Sequence, residues 1–187
     1  MELIDELLED AKGRMAKSVD SSRGELATVR TGRASPHLLD RIVVEYYGNP
    51  TPLKQLANVA TTDARLLTVT PFDKGALGGI EKAIQESDVG LTPSNDGNVI
   101  RLQVPELTEE RRREMVKVVH GVAEEGRVAI RNVRRDVMHD LRELKKDGEA
   151  GEDDERRAET ALQKQTDDAI AEIDALLKGK EEEILEV

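Results

Sequence analysis

The chain has 187 residues, of which 36% are charged and only 2% are aromatic, and it contains no cysteine. So few aromatic residues leave little material for a large compact core with a cofactor pocket, and the lack of cysteine excludes disulfides, thiolate metal sites and thiol nucleophiles. The formal net charge of −11 argues against nucleic-acid binding, but most of it lies in residues 148–187, which carry 14 acidic and 5 basic side chains.

A long first helix is predicted for residues 3–29, because apolar or small side chains recur there every three or four residues. This stripe consists of Ile4, Leu7, Ala11, Met15, Ser18, Ser22, Leu26 and Val29. A single helix cannot bury such a stripe alone, so other helices must pack on it.

A strand pattern follows the first helix. β-branched, aromatic and apolar residues predict strands over residues 41–47, 66–70 and 99–104, with turns over 48–52 and 93–97. A short helix is predicted from Ile80 to Ser87. The glycines of residues 75–79 indicate a turn leading into that helix, because the lysine and Ser/Thr of a P-loop are missing.

Two more helices are predicted in the remainder of the chain. Thr108 can cap the second helix, which continues without proline to about Asp147. Residues 147–151 form a turn, and the acids Glu152–Glu155 suit the positive N-terminus of a third helix. That helix carries Ala158, Leu162, Ala169, Ile173, Leu176 and Leu177 on one face and ends near Gly179 or in the tail.

The expected fold class is therefore α+β. A three-helix bundle is built from residues 1–30 and 106–187, and a small β/α/β domain, residues 31–105, is inserted between its first and second helices. Two short strands join the domains and are expected to act as a hinge. The hinge residues are Arg30, Thr31, Gly32 and Arg33 on the way in, with Gly32 as the flexible point, and Pro105 on the way out.

The second helix sorts its charges by side. On a helical wheel its apolar residues face one way, and its basic residues fall between roughly 100° and 200° from Met115. Glu124 is the one acid on the basic side. The candidate RNA-binding residues on this side are Arg113, Arg127, Arg131, Arg134 and Arg135.

This sorting has two interpretations. From Arg127 to Arg135 there are four arginines and no acid, whereas a face needed only for solubility would alternate signs at i and i+4. Arginine also suits phosphate, because its planar fork holds two oxygens. The alternative is that these arginines pair with acids of the third helix. If RNA is bound, phosphate contact and shape must carry the affinity, because exposed aromatic residues are almost absent.

The residues offer no catalytic site. His37, His120 and His139 lie far apart in sequence without metal-ligand spacing, so ordinary surface histidines are expected. No nucleophile motif occurs, and no apolar run approaches the roughly 20 residues that cross a bilayer. We expect a cytoplasmic protein that is not an enzyme and has no cofactor or metal.

Several segments resemble the ribosome recycling factor family. They are Arg30-Thr31-Gly32-Arg33-Ala34-Ser35-Pro36, Val44-Glu45-Tyr46-Tyr47-Gly48, Thr51-Pro52-Leu53, Leu107-Thr108-Glu109-Glu110-Arg111-Arg112 and Arg131-Asn132-Val133-Arg134-Arg135-Asp136. The resemblance covers the whole chain, including the order of the helices and the inserted domain.

The resemblance implies a roughly L-shaped, elongated monomer that binds the large ribosomal subunit and its ribosomal RNA after termination. It also implies that elongation factor G, through its own GTP hydrolysis, works with this protein to separate the subunits. The family's RNA-contacting arginines correspond to Arg131, Arg134 and Arg135. The small domain and hinge are the expected contact for elongation factor G. Two alternatives are a coiled-coil-like protein scaffold without RNA binding and an enzyme of unknown chemistry.

Overall fold

The computed structural model describes residues 2–186 and divides into two compact units. The small unit comprises Arg30–Arg112, and the helical unit is the chain on either side of it. One boundary directly follows the first helix, and the other falls inside the second long helix, about one turn after its start.

The helical unit contains the three long helices that the apolar periodicity predicts. They are α1 (Glu2–Thr28), α4 (Glu109–Lys146) and α5 (Glu152–Leu185). The buried side of α1 is Ile4, Ala11, Met15, Val19, Ser22 and Leu26; that of α4 is Met115, Val119, Ala123, Gly126, Ile130, Val133, Val137 and Leu141; that of α5 is Ala158, Leu162, Thr166, Ala169, Ile173, Leu177 and Ile184.

The buried seam differs from the predicted stripe at a few positions. In α1, Val19 is buried where Ser18 was expected, and the Ser18 hydroxyl instead donates to the Arg14 carbonyl at 3.2 Å. In α4, Ala123 and Gly126 are buried, whereas Val122 and Ala129 are half-buried. Small residues therefore occupy the centre of the α4 seam, where side chains of the neighbouring helices fill the space they leave.

Gly126 of α4 lies directly against side chains of both α1 and α5. A Cβ atom on this residue would lie 2.3 Å from Ser22 Oγ of α1 and 2.7 Å from Ile173 Cδ1 of α5. Real Cβ atoms do not come so close to other heavy atoms, so a side chain at this position would force its neighbours to move. Glycine is thus part of the packing between α1, α4 and α5.

The ends of the long helices are formed as the sequence predicts. The Arg111 amide donates to Thr108 Oγ1 at 3.1 Å, which caps the start of α4. At its other end Gly148 adopts φ +78°, and the Glu149 amide donates back to the Leu144 carbonyl at 2.9 Å. This glycine conformation ends the helix and allows the chain to reverse into α5.

The small unit is built from six short strands, two short α-helices and two 3₁₀ helices, Pro36–Leu39 and Lys74–Ala76. The strands are β1 (Val43–Tyr46), β2 (Asn49–Pro52), β3 (Ala57–Asp63), β4 (Leu66–Pro71), β5 (Pro93–Asn95) and β6 (Ile100–Gln103); the α-helices are α2 (Leu53–Leu56) and α3 (Leu77–Glu86). β1 and β2 form an antiparallel hairpin, and the other strands form one antiparallel sheet in the order β3-β4-β6-β5.

One face of the four-stranded sheet lies on the core of the small unit. Leu67 and Val69 of β4 and Leu102 of β6 are fully buried, alternating with more exposed residues as expected for a sheet with one covered face. Ile80 and Ile84 of α3 belong to the same core and are also fully buried. This helix is the one predicted over residues 80–87, and it begins three residues earlier.

Three of the six strands were not predicted. Residues 49–52 were expected to be a turn, but the turn is confined to Tyr47 and Gly48, both at positive φ, and β2 follows it. β5 likewise occupies part of the predicted turn over 93–97. β3 is an edge strand whose exposed side chains show no apolar alternation.

Candidate nucleic-acid interface on helix α4

The basic side of α4 faces away from the buried seam. We call the set Arg113, Lys117, Arg127, Arg131, Arg134, Arg135, Arg142 and Lys145 the basic face. Most of these side chains are exposed, and Arg127 and Arg134 are half-buried. The helix thus presents its cations on one surface. Some of them form ion pairs with acids, and others form none among the described residues.

Arg127 is bound to acids on two helices. Its Nε and Nη2 atoms donate to Asp174 Oδ1 of α5 at 2.8 and 2.6 Å, and Nη1 donates to Glu124 at 3.1 Å. Its side chain is only 19% exposed. The hydrogen bond to Asp174, and secondly that to Glu124, raises the pKa of Arg127 against the effect of burial. The expected pairing with the third helix therefore exists for this arginine.

Arg131 is shared with the one acid of the basic face. Its Nη1 atom donates to Glu124 Oε1 at 3.2 Å, and both side chains are about half exposed. Hydrogen bonds from Arg127 and Arg131 hold the pKa of Glu124 below its ordinary value. Glu124 therefore remains a carboxylate at neutral pH and neutralises part of the charge of these two arginines.

Arg134 and Arg135 form the open part of the basic face. Within residues 2–186 neither makes an ion pair, and Arg135 donates only to the amide oxygen of Asn132, at 3.0 Å. Both arginines line a concavity on the surface of α4, whose lining also includes His139, Arg142 and the acids Asp136 and Asp140. Two adjacent uncompensated guanidinium groups attract phosphate more strongly than paired ones.

One acid on the acidic flank of α4, Asp136, pairs with α1. Arg14 of α1 donates to Asp136 at 2.7 Å and also lies 3.5 Å from Asp10. The hydrogen bond to Asp136 raises the pKa of Arg14. Asp136 of this flank thus pairs with α1, whereas two cations of the basic face, Arg127 and Lys145, pair with acids of α5.

Four candidate hinge residues, 30–33, begin the small unit, and Pro105 lies within it, seven residues before its last residue Arg112. Thr31 is buried, Gly32 adopts φ +80°, and Arg30 donates from Nη2 to the Asp88 carbonyl at 3.3 Å. Arg33 and Pro105 are exposed.

The turn between β3 and β4 accepts backbone hydrogen bonds from the chain on either side of the sheet, at Ala34 and at Val104. The Ala34 amide donates to the Ala64 carbonyl and the Val104 amide to the Arg65 carbonyl, each at 2.8 Å. Arg65 also forms a 2.6 Å ion pair with Glu106. The connections are therefore fixed to the sheet at Ala34 and Val104, next to the candidate hinge residues.

Two exposed aromatic residues were missed by the sequence analysis, which expected almost none. Tyr47 is 83% exposed and Phe72 is 73% exposed, both in the small unit rather than on α4. Tyr46 contacts both neighbourhoods. Its ring packs edge-on against Tyr47, and its hydroxyl donates to Asp73, the residue after Phe72, at 2.9 Å. Tyr47 lies in the tight turn at φ +49°, a conformation that is uncommon for residues other than glycine.

All three histidines are exposed, and two of them, His37 and His120, pair with acids. His37 lies 3.0 Å from Asp40, and His120 contacts Glu181 of α5. No cluster of histidine and carboxylate side chains among residues 2–186 is arranged to hold a metal ion. Likewise, none of the described helices has the length and apolar character needed to cross a bilayer.

Comparison with known proteins decides the family. The family model for ribosome recycling factor matches residues 22–185. The chain belongs to the ribosome recycling factor family. Among its relatives, the ribosome-recycling factors of Rubrobacter xylanophilus, Thermomicrobium roseum and Bacillus subtilis are 56%, 55% and 53% identical to it. These matches cover 96%, 99% and 97% of this chain and 97%, 100% and 98% of the respective relatives.

Solved structures of ribosome recycling factors share the fold. A solution structure of the ribosome recycling factor superposes with a TM-score of 0.83 at 41% identity and covers 100% of both chains. A second structure contains the T. thermophilus ribosome recycling factor and the E. coli elongation factor G bound to the E. coli post-termination complex. Its factor matches with a TM-score of 0.71 at 48% identity, over 98% of this chain and 99% of that chain.

Proposed function

We propose that this member of the ribosome recycling factor family binds the large ribosomal subunit through the basic face of α4. Elongation factor G is the partner, and its GTP hydrolysis drives separation of the post-termination ribosome. The observation that carries the RNA contact is the pair Arg134 and Arg135, which have no ion pair within the described residues. The partner is supported by the related factor seen with elongation factor G on the post-termination complex.

The arginines of the basic face have different roles in this proposal. Arg134 and Arg135 contact RNA phosphate directly, and Arg131 joins them after releasing Glu124. Arg113, exposed near the start of α4, adds a further contact. Arg127 is held by Asp174, so it joins α4 to α5 and adds to the local positive potential rather than contacting phosphate.

The hinge is the second part of the proposal. Residues 30–33 and Pro105 absorb a rotation of the small unit when elongation factor G acts on it, while α4 stays on RNA. The hydrogen bonds at Ala34 and Val104 support this position, because they attach the adjoining segments to the sheet, and Gly32 between α1 and Ala34 has the positive φ that glycine tolerates. The chain itself makes or breaks no covalent bond. We expect a cytoplasmic monomer that carries no cofactor.

The experiment is a charge reversal with a matched control. Arg134→Glu replaces an uncompensated cation on the basic face, and Lys178→Glu makes the same change at an exposed position of α5. Binding to purified large subunits and splitting of post-termination ribosomes with elongation factor G are measured for both. We expect Arg134→Glu to lose binding and splitting with unchanged helicity, and Lys178→Glu to retain both.

Two results would contradict the proposal. Equal losses in the two variants would mean that net charge, not this face, controls binding. Full binding by Arg134→Glu, with no dependence on salt, would favour a scaffold that binds only proteins.

A further inference from the structure

Glu124 is placed where a bound phosphate would be expected. It lies on the basic face, and its two carboxylate oxygens accept separately from Arg127 at 3.1 Å and from Arg131 at 3.2 Å. A carboxylate and a phosphate offer arginine the same arrangement of acceptor oxygens. Glu124 therefore occupies a donor of Arg131 that an RNA phosphate would otherwise use.

The contact with Arg131 requires that side chain to extend along the helix. Glu124 and Arg131 are separated by seven residues, which is about 10.5 Å of helix axis. They meet only because both side chains point toward each other. Arg131 is thereby drawn toward the N-terminal end of α4 and away from Arg134 and Arg135.

Arg127 does not depend on Glu124 in the same way. Asp174 receives two of its hydrogen bonds, from Nε and Nη2, and these remain if Glu124 is removed. Loss of the Glu124 carboxylate would therefore release Arg131 and leave Arg127 attached to α5. The lowered pKa of Glu124 keeps it charged at neutral pH, so it competes with phosphate throughout the physiological range.

We propose that Glu124 is a positioning residue that competes with RNA phosphate for Arg131 and so weakens the attachment of the factor to the ribosome. The weaker attachment favours release once the subunits have separated. This inference rests on the proposed RNA contact of the basic face.

The test compares two neighbouring acids. Glu124→Gln keeps the size and hydrogen-bonding ability of the side chain but removes its charge. Glu125→Gln removes one charge from the next residue, which is exposed, lies on the opposite flank of α4 and makes no ion pair within residues 2–186. Affinity and dissociation rate are measured on purified large subunits by competition with labelled wild-type protein. A third variant combines Glu124→Gln with Arg131→Gln.

We expect Glu124→Gln to bind up to about fivefold more tightly and to dissociate more slowly, because an exposed ion pair supplies at most this range. Its affinity should also depend more steeply on salt, since one more arginine reaches phosphate. Glu125→Gln should bind nearly as the wild type does. The gain should vanish when Arg131→Gln is present.

Each other outcome overturns the inference. Equal or weaker binding by Glu124→Gln would mean that the residue has a structural role or none. The same gain in Glu125→Gln would indicate a general charge effect, and a gain that persists with Arg131→Gln would show that Arg131 is not involved. The Arg134→Glu variant separates this failure from that of the proposed function: if it binds normally, the RNA face itself is wrong.

Discussion

Replacing Gly126 with alanine tests the packing of the three long helices. Alanine favours a helix over glycine by about 1 kcal/mol, so an exposed position would gain stability. At Gly126 the new Cβ would lie 2.3 Å from Ser22 Oγ and 2.7 Å from Ile173 Cδ1, and neither side chain has free space because both are buried. Forcing a methyl group into a packed core costs about 1 to 3 kcal/mol. The helix gain of about 1 kcal/mol offsets part of this cost, so we expect a net destabilisation of up to about 2 kcal/mol.

The control for this variant lies in the same helix. Gly121→Ala adds a methyl group where nothing lies within 4 Å, so it should gain part of the helix-propensity term. Urea unfolding followed by far-ultraviolet circular dichroism measures both variants against the wild type. If Gly126→Ala is as stable as Gly121→Ala, the helices do not pack as closely as described and the reasoning is refuted.

Two further predictions concern the small unit. Gly32→Ala should destabilise the protein by about 1 to 2 kcal/mol because φ +80° disfavours a Cβ, which would also lie 3.3 Å from Leu107 Cγ. The control is Gly78→Ala, where a Cβ would lie in open space. Equal urea-unfolding midpoints for the two variants would contradict this prediction. Two backbone amides and then Arg101 lower the pKa of Asp96 to about 2, so its contribution to stability is present above its ordinary pKa and is lost as pH falls through about 2. Asp96→Asn should therefore unfold with a weaker pH dependence than the wild type between about pH 4 and pH 2 in an acid titration followed by circular dichroism, and identical profiles would count against this role.

The long helices could be predicted from the sequence because each carries an apolar stripe over many turns. α4 and α5 also carry local signals at their ends, such as Thr108 and the acids that begin α5. Periodicity did not identify the small residues at the centre of the seam. Gly126 has no side chain to mark a face, and its burial depends on Ser22 and Ile173, which are distant in sequence.

The missed strands have a different physical reason. β2 and β5 contain proline, which usually indicates a turn but is tolerated in the edge strands of a sheet. β3 also lies at an edge, so only part of it contacts the core and its sequence lacks the apolar alternation of β4. Sheet position, which depends on the whole fold, decides these assignments.

The sequence identified the basic face but not the partners of its members. A helical wheel shows that Arg127 and Arg134 lie on one side of α4. It cannot show that Asp174, 47 residues later, holds Arg127 while no acid of the described residues pairs with Arg134. That difference comes from the packing of α5 against α4, and it changes which arginines we propose as RNA contacts.

The most direct test of the central proposal is the salt dependence of ribosome binding. Wild-type protein and a variant with Arg131, Arg134 and Arg135 all changed to glutamine are co-sedimented with large subunits over a salt series. The wild-type binding constant should fall steeply with salt, and its logarithmic slope should exceed that of the variant by about 2 to 3, which corresponds to three lost phosphate contacts. Identical slopes, or wild-type binding that does not respond to salt, would contradict the proposed RNA contact.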